Sequence, residues 1–377
     1  MKKVINIIFK LFIKVKLSVK KKFYRVFYKF IIRRKETSIP NYETAKKLLD
    51  DVRPHKKAII NNTAIGEKAF DLTIIVPVYN AQKHLRQCID SLVNQKTEYE
   101  YLVKFVDDGS TDSSAEILNE YCLSNSNFQV IRKNNGGAAS ARNVGLENLN
   151  SNYVMFVDAD DYISDDAVQL LLDKAYFGNY DIVEGEYTYF DGDKVLFTNH
   201  HKYCSDGSLN KYSLFGISCN KVIKSELFVN FHYPNGFCYE DVANPFYLHQ
   251  LANRVSAIDK PTYFYRHFVH IQNYNDKTCL DSILVLLEIL NEVRTQSIPV
   301  NRSFYFHKSL EQVIVTFRRC YHLNKSYQKC IFSIICFIFD EYFYNIELTT
   351  SYPLLYKAIK EKNFNTYMLC LITEKYS

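Results

Sequence analysis

Residues 72–80 read LTIIVPVYN, 101–110 read YLVKFVDDGS and 153–163 read YVMFVDADDYI. Each begins as an apolar run and stops abruptly at polar side chains. Leu72–Val78 is rich in β-branched residues, as in a parallel strand buried on both faces. Leu102–Val106 is a second strand, Val130-Ile131 a short third and Tyr153–Val157 a fourth. The intervening segments read as helices. Leu85, Cys88, Ile89 and Leu92 share one helical face, with Asn80 as cap. Ser113–Tyr121 is a second helix, and Ala138–Leu149 follows the Gly136-Gly137 turn. Ser164 caps a helix through Lys174, and Asp181–Glu184 opens a further strand. Strand–helix alternation with short loops predicts an α/β fold: a Rossmann-like, mostly parallel sheet flanked by helices. Ligands of such sheets bind beyond the carboxyl ends of the strands.

Outward from this core the regularity fades. After Glu184, Phe190-Asp191-Gly192-Asp193 resembles a hairpin turn. From about residue 280 the chain reads as helical, with amphipathic stretches at Asp281–Val293 and Ser309–Tyr321 and a largely apolar one at 327–343. The apolar run Cys330–Phe339 is too short to span a bilayer and reads as a core helix. Upstream, residues 36–70 read as a polar linker with one short helix at Tyr42–Leu49. The expected division is a basic arm at 1–35, the linker at 36–70, a catalytic domain at 71–280 and a helical region at 281–377. Within the domain, 71–184 is the nucleotide half and 185–280 the acceptor half.

Charge is distributed unevenly. Of 47 Lys and Arg, 13 fall within residues 1–35, which hold no acid; the other 34 face 41 Asp and Glu, a net charge of −7. Val4, Ile7, Ile8, Leu11 and Val15 lie near helical spacing among lysines. This fits a basic amphipathic helix on an anionic membrane surface better than a signal peptide, the plainer alternative being a solvated basic helix packed on the body. An acidic body and the absence of any nucleic-acid module argue against a nucleic-acid partner. A content of 23% charged residues and 8 prolines argues against extensive disorder. Ten cysteines scattered without a C-x-x-C pair suit free thiols in a reducing cytoplasm.

The chemistry sits at the strand ends. Pro77, Tyr79 and Asn80 close the first strand, Asp107 and Asp108 the second, and Asp158-Ala159-Asp160-Asp161 the fourth. Carboxylates converging from two strands repel unless a cation or donors meet them. Asp158-x-Asp160 suits Mg²⁺ or Mn²⁺, hard ions that take oxygen ligands and bridge phosphates. A D-x-D pair alone would equally suit a turn or cap; its place at the end of a buried strand favours the ligand reading.

Four linked segments carry a resemblance: IIVPVYNAQKHLRQCIDSLVNQ (74–95), VDDGSTDSS (106–114), NNGGAASARNVGLE (134–147) and YVMFVDADDYI (153–163). In order and spacing they resemble the family 2 inverting glycosyltransferases of GT-A fold, of bacterial polysaccharide type, over about Asp71 to Arg266. The resemblance implies that Pro77, Tyr79 and Asn80 face the nucleotide, and that Asp108 hydrogen-bonds a base, uracil by preference. It also implies that Arg142 lies near the nucleotide, Asp158 and Ala159 near the ribose, and that Asp160 is the first direct metal ligand, with Asp158 as second. Inverting transfer needs a base for the acceptor hydroxyl. Asp241, in Gly236-Phe237-Cys238-Tyr239-Glu240-Asp241, resembles the family's base, with Glu240 as competitor or supporting acid. Lys221, Arg266 and His267 are softer matches: Lys221 for phosphate or acceptor, the other two for pyrophosphate, each equally readable as structural. Lys104, within a strand, departs from the pattern and hints at an edge or an unusual neighbour; Gln82 stands where an acid is common.

The sequence thus predicts a metal-dependent inverting glycosyltransferase. It would move sugar from a nucleoside-diphosphate donor, a UDP-sugar by preference, to a glycan or lipid-linked acceptor in surface polysaccharide synthesis. It would work in the cytoplasm, peripheral to the inner face of the plasma membrane. A nucleotidyltransferase or an inactive GT-A scaffold in a membrane assembly are the alternatives. The first lacks its glycine-rich basic loop after the first strand; the intact Asp108, Asp160 and Asp241 oppose the second.

Overall fold

The structure, a computed structural model, describes residues 38–54, 65–192, 194–203, 209–229, 231–267, 277–295, 301–346 and 350–374. The basic arm at 1–35 lies outside them. The described residues form two compact units, one lying within 65–295 and one combining 38–54 with those from 301 onward. This differs from the division expected from sequence in two places. The helix Asp281–Thr295 belongs with the sheet, and the segment read as a linker contributes the helix Tyr42–Val52 to the other unit.

The larger unit is built on one nine-stranded sheet. Its elements are β1 (Ile65–Val78), α1 (Leu85–Val93), β2 (Tyr101–Asp107), α2 (Ser114–Ser124), β3 (Phe128–Arg132), α3 (Ala138–Leu146) and β4 (Leu149–Phe156). There follow β5 (Tyr162–Ile163), α4 (Ala167–Gly178), β6 (Ile182–Asp191), β7 (Lys194–Asn199), β8 (Lys221–Lys224), β9 (Val255–Arg266) and α5 (Asp281–Thr295). Sheet order is β3-β2-β1-β4-β8-β6-β9-β5, with β7 on β6. β3, β2, β1 and β4 are mutually parallel, as are β6 and β9; β8 runs antiparallel between β4 and β6. The chain steps outward from β1 to β3 and returns to β4 on β1's other side. The crevice beyond the carboxyl ends of β1 and β4 is therefore the switch point where such sheets bind ligands.

The central strands are buried as their composition requires. Leu72, Ile74, Ile75, Val76 and Val78 have no exposed surface, and neither do Val154, Met155 and Phe156. Pro77 is tolerated in this central strand because of where β4 stops. Residue 77 points its backbone the way residue 75 does, toward β4, whose pairing ends at Ile75↔Phe156, so no ladder partner is left wanting an N–H.

Lys104 is not at an edge. It is buried in β2, where its ammonium donates to the carbonyls of Gly145 (3.3 Å) and Glu147 (2.8 Å) at the C-terminal end of α3. A cation there satisfies orphan carbonyls and meets the negative end of the helix dipole. Helix α3 lies close to β1: a Cβ added at Gly145 would stand 2.3 Å from Ile75 Cγ2. Two expected caps are displaced. α1 starts at Leu85 after His84, not at Asn80, and α4 follows Asp166, to which Ser164 donates at 2.9 Å.

The smaller unit is helical. Asn41, Asn301 and Asn324 cap Tyr42–Val52, Arg302–Cys320 and Lys325–Tyr342 by accepting first-turn N–H groups. Tyr42 stacks on Phe337 at 3.7 Å, and Phe306 meets Phe339, Phe343 and Tyr356 edge-on. The apolar run at 330–339 is buried in this core, as expected. No described helix is long and apolar enough to cross a membrane.

Candidate active site

The loops after β1 and β2 are fastened to each other. Asn80, at φ +49°, accepts from the Thr111 N–H (2.8 Å) and gives its own N–H to Ser110 Oγ (3.1 Å). Ala81 N–H donates to Ser114 Oγ (2.9 Å), and Gln82 both donates to Asp112 through its backbone and accepts from Ser113. Gln82 therefore helps to join the two loops, its side-chain oxygen accepting where a carboxylate could also accept. Tyr79 extends from this loop with 53% of its surface exposed, and Pro77 is half-buried.

Asp107 and Asp108 serve different loops. Asp107 is fully buried and accepts from Ser110 N–H and Arg132 Nε, both at 2.9 Å. Burial pushes its pKa up, but the bonds from Ser110 and Arg132 outweigh that and leave it below the usual range. Asp108 accepts from Gly136 N–H (2.9 Å), Gly137 N–H (2.7 Å) and Lys133 Nζ (2.6 Å). Its carboxylate thus orders the glycine turn that opens α3. Gly137 takes φ +87°, a conformation unfavourable for other residues.

Arg142 joins the acidic run to the E-D pair. Buried in α3, it donates from one terminal nitrogen to Asp158 Oδ1 (2.8 Å) and from the other to Glu240 Oε1. Its guanidinium also sits 5.7 Å from the centroid of the Tyr233 ring. Burial opposes the charge, but Asp158 and Glu240 hold it on. Next to it, Asn143 binds the backbone of Tyr233 in both directions (2.9 and 2.8 Å) and Asn235 Oδ1 (3.0 Å). This pins the segment leading to Glu240. Tyr239, at φ +67°, turns the chain into a tight 3₁₀ turn at Glu240–Val242, followed by a π-helical turn at Asn244–Leu248. Such turns recur at functional sites. Asp241 is half-buried in the first of them, and Asp281 at the start of α5 holds Cys238 N–H at 2.8 Å.

Behind the run lies β9. Tyr263 donates its hydroxyl to Asp161 (2.8 Å) and accepts from the Asp158 N–H (3.1 Å). Asp161 also accepts the Arg266 N–H at 2.7 Å and is almost completely buried. It is an inward anchor that ties the run to β9. Burial, then Asp158 and Asp160, push its pKa up to about 8. Asp158 and Asp160 are half-buried with Ala159 buried between them. The same environment pushes the Cys88 thiol well up, which leaves it inert as a nucleophile.

The softer matches divide. Arg266 is at the run: its Nε donates to Asp160 O (2.8 Å), it bonds Gln87, and it lies 4.5 Å over Phe190. His267 is exposed, with its N–H on Phe190 O (2.7 Å). Lys221 is turned into the interior, paired with Glu184 at 3.0 Å and donating to Phe215 O at 2.6 Å. Its ammonium is committed to that buried pair, the structural alternative for this residue.

The parallel half-sheet, the acidic run at its switch point and the guanidinium bridge to the E-D pair occur together in this order along one chain. The profile of the family described as Glycosyl transferase family 2 matches residues 73–242. A putative glycosyltransferase, EpsH of Bacillus subtilis, is 30% identical over 233 residues, covering 58% of this chain and 67% of its own. The chain belongs to glycosyltransferase family 2. Glycosyltransferase GlyG of Streptococcus pneumoniae is 29% identical over 213 residues, 52% of this chain and 70% of that protein. Several further curated glycosyltransferases are matched over less than a third of their own length. The crystal structure of Staphylococcus aureus TarS with UDP-GlcNAc superposes with a TM-score of 0.61 at 19% identity, covering 81% of this chain and 91% of that one. This glycosyltransferase therefore has the GT-A fold expected from its sequence.

Proposed function

We propose that the protein transfers a sugar, with inversion, from a UDP-sugar to a glycan or lipid-linked acceptor in surface polysaccharide synthesis. The observation that carries the reading is the Arg142 bridge, with Asp158 on one side and Glu240, next to Asp241, on the other. In this reading Asp158 is a donor-side acid and Glu240 an acceptor-side one, and a single guanidinium holds both. TarS, similar in fold, was crystallised with UDP-GlcNAc and with UDP, which supports a uridine nucleotide donor.

The donor set suits a hard divalent ion. Asp158 and Asp160, with one residue between them, offer oxygen ligands, the hard donors such an ion takes. Asp160, with Asp158, would hold Mn²⁺ or Mg²⁺, which when bound offsets diphosphate charge as the nucleotide leaves. Tyr79 would lie along the base, and Asp108, which orders the 133–137 turn, would hydrogen-bond the uracil. Asp241 would take the acceptor hydroxyl proton as that oxygen attacks the anomeric carbon from the face opposite the diphosphate. Glu240, committed to Arg142, acts as a positioning residue.

Donor consumption with Mn²⁺ across a panel of UDP-sugars and acceptors tests this. Asp241→Asn should lower kcat by about 10²–10⁴ while UDP binding persists, and Asp160→Ala should abolish the metal-dependent part of UDP binding. Full turnover in Asp241→Asn refutes the base, and unchanged metal-dependent affinity in Asp160→Ala refutes the ligand. Residues 1–35 would hold the protein on anionic membranes, so their deletion should release it from phosphatidylserine vesicles in sedimentation while soluble-acceptor activity survives. Retention on the vesicles would refute this role.

A further inference from the structure

We propose that Glu186, His201 and Asp259 form a zinc-type divalent-cation site, built from residues other than those of the acidic run. One ligand atom from each lies within 4.8 Å of the others. Glu186 comes from β6, His201 from the segment after β7 and Asp259 from β9. They are 15 and 58 residues apart in sequence and meet only because β6 pairs with both β7 and β9.

The imidazole of His201 is what makes the cluster a site. Its side chain has no exposed surface, yet neither ring nitrogen has a hydrogen-bond partner. A buried imidazole left unsatisfied is costly, and a metal–nitrogen bond would satisfy it. Nδ1 faces Asp259 Oδ1 at 4.0 Å, and Nε2 lies 3.3 Å from Glu184 Oε1, out of line for a hydrogen bond. Metal-bound histidines donate their second N–H to a carboxylate that fixes tautomer and ring orientation. Glu184 is placed to be that carboxylate, since it is fully buried and held by Lys221 at 3.0 Å and by the Phe215 N–H at 3.1 Å. The other two ligands are oriented likewise. His200 Nδ1 meets Glu186 Oε1 at 2.6 Å, and the Tyr203 hydroxyl bonds Asp259.

One imidazole with two carboxylates favours zinc over magnesium or calcium, which prefer all-oxygen sites. Ligands about 2.1 Å from a shared ion stand no more than about 4.2 Å apart, so the trio must contract slightly. Asp259, whose side chain is 68% exposed, has the freedom to do so. A bound ion would tie β6 to β9 four residues before Tyr263, which supports Asp158 and Asp161.

The test uses the full chain stripped with EDTA and titrated calorimetrically with ZnCl₂. A variant carrying Asp158→Asn and Asp160→Asn should still bind one equivalent. His201→Gln and Asp259→Asn, each made in that background, should weaken this binding by about 10-fold or more. Co²⁺ loaded in place of zinc should show visible d–d bands that His201→Gln removes. Asp259→Asn, at an exposed position, keeps the test open if the histidine variant does not fold. No zinc binding in the acidic-run variant, or affinity unaltered by Asp259→Asn, overturns the proposal.

Discussion

Replacing Arg142 with leucine should destabilise the larger unit by about 4 kcal/mol. The guanidinium is buried and serves two carboxylates, Glu240 with 12% of its side chain exposed and Asp158 with 29%. Breaking a buried ion pair by removing one partner costs about 3–5 kcal/mol, because the orphaned charge stays desolvated. Glu240 falls in that regime. Asp158 is partly solvated, so its share is discounted to about 1 kcal/mol or less. Leucine restores apolar volume against Tyr233 but no hydrogen bonds. Chemical denaturation of wild type, Arg142→Leu, Glu240→Gln and the double variant, in EDTA, measures the coupling. The double variant should recover about 2 kcal/mol relative to Arg142→Leu, because glutamine removes the stranded charge. If the two substitutions add to within about 0.5 kcal/mol, or Arg142→Leu costs under about 1 kcal/mol, the bridge is not a structural link between the acidic run and the E-D pair.

The pKa of Asp161, raised to about 8, means the folded chain holds a proton that the unfolded chain releases from about pH 4 upward. Its contribution to stability is lost as pH rises through that window, at no more than about 1.4 kcal/mol per pH unit. Asp161→Asn should therefore gain on wild type between pH 5 and 8.5 in metal-free denaturation; a constant difference across that range refutes the shift. Gly145→Ala gains about 1 kcal/mol in helix propensity but forces a methyl against Ile75. Overpacking of about 1–3 kcal/mol should outweigh it, giving a lower Tm that Ile75→Val partly restores; a raised Tm would show that α3 can move away from β1.

Much of the fold was legible because its signals are local. Uninterrupted apolar runs such as Leu72–Val78 announce strands buried on both faces, and the polar residues that end them fall at the sheet's carboxyl edge. The displaced caps at Asn80 and Ser164 show the limit of this reading. Both are typical cap residues, but each has been drawn into a loop contact. Lys104 was visible as an anomaly, while its solution, the C-terminal carbonyls of α3, depends on how helix and strand pack.

The residue types at the candidate site, and their order along the chain, are properties of the sequence alone, as is membership of a family defined by those motifs. The tertiary structure decided which of these side chains meet. Arg142 and Glu240 are 98 residues apart, and nothing near either one predicts their pairing. Lys221 had the same composition-level claim to the site as Arg266, yet it faces Glu184 in the interior. Glu186, His201 and Asp259 have no shared motif, so spacing could not have found them. Hydrophobic periodicity is written into neighbouring residues, whereas a charge's partner and its desolvation are set by strand order and by what covers it.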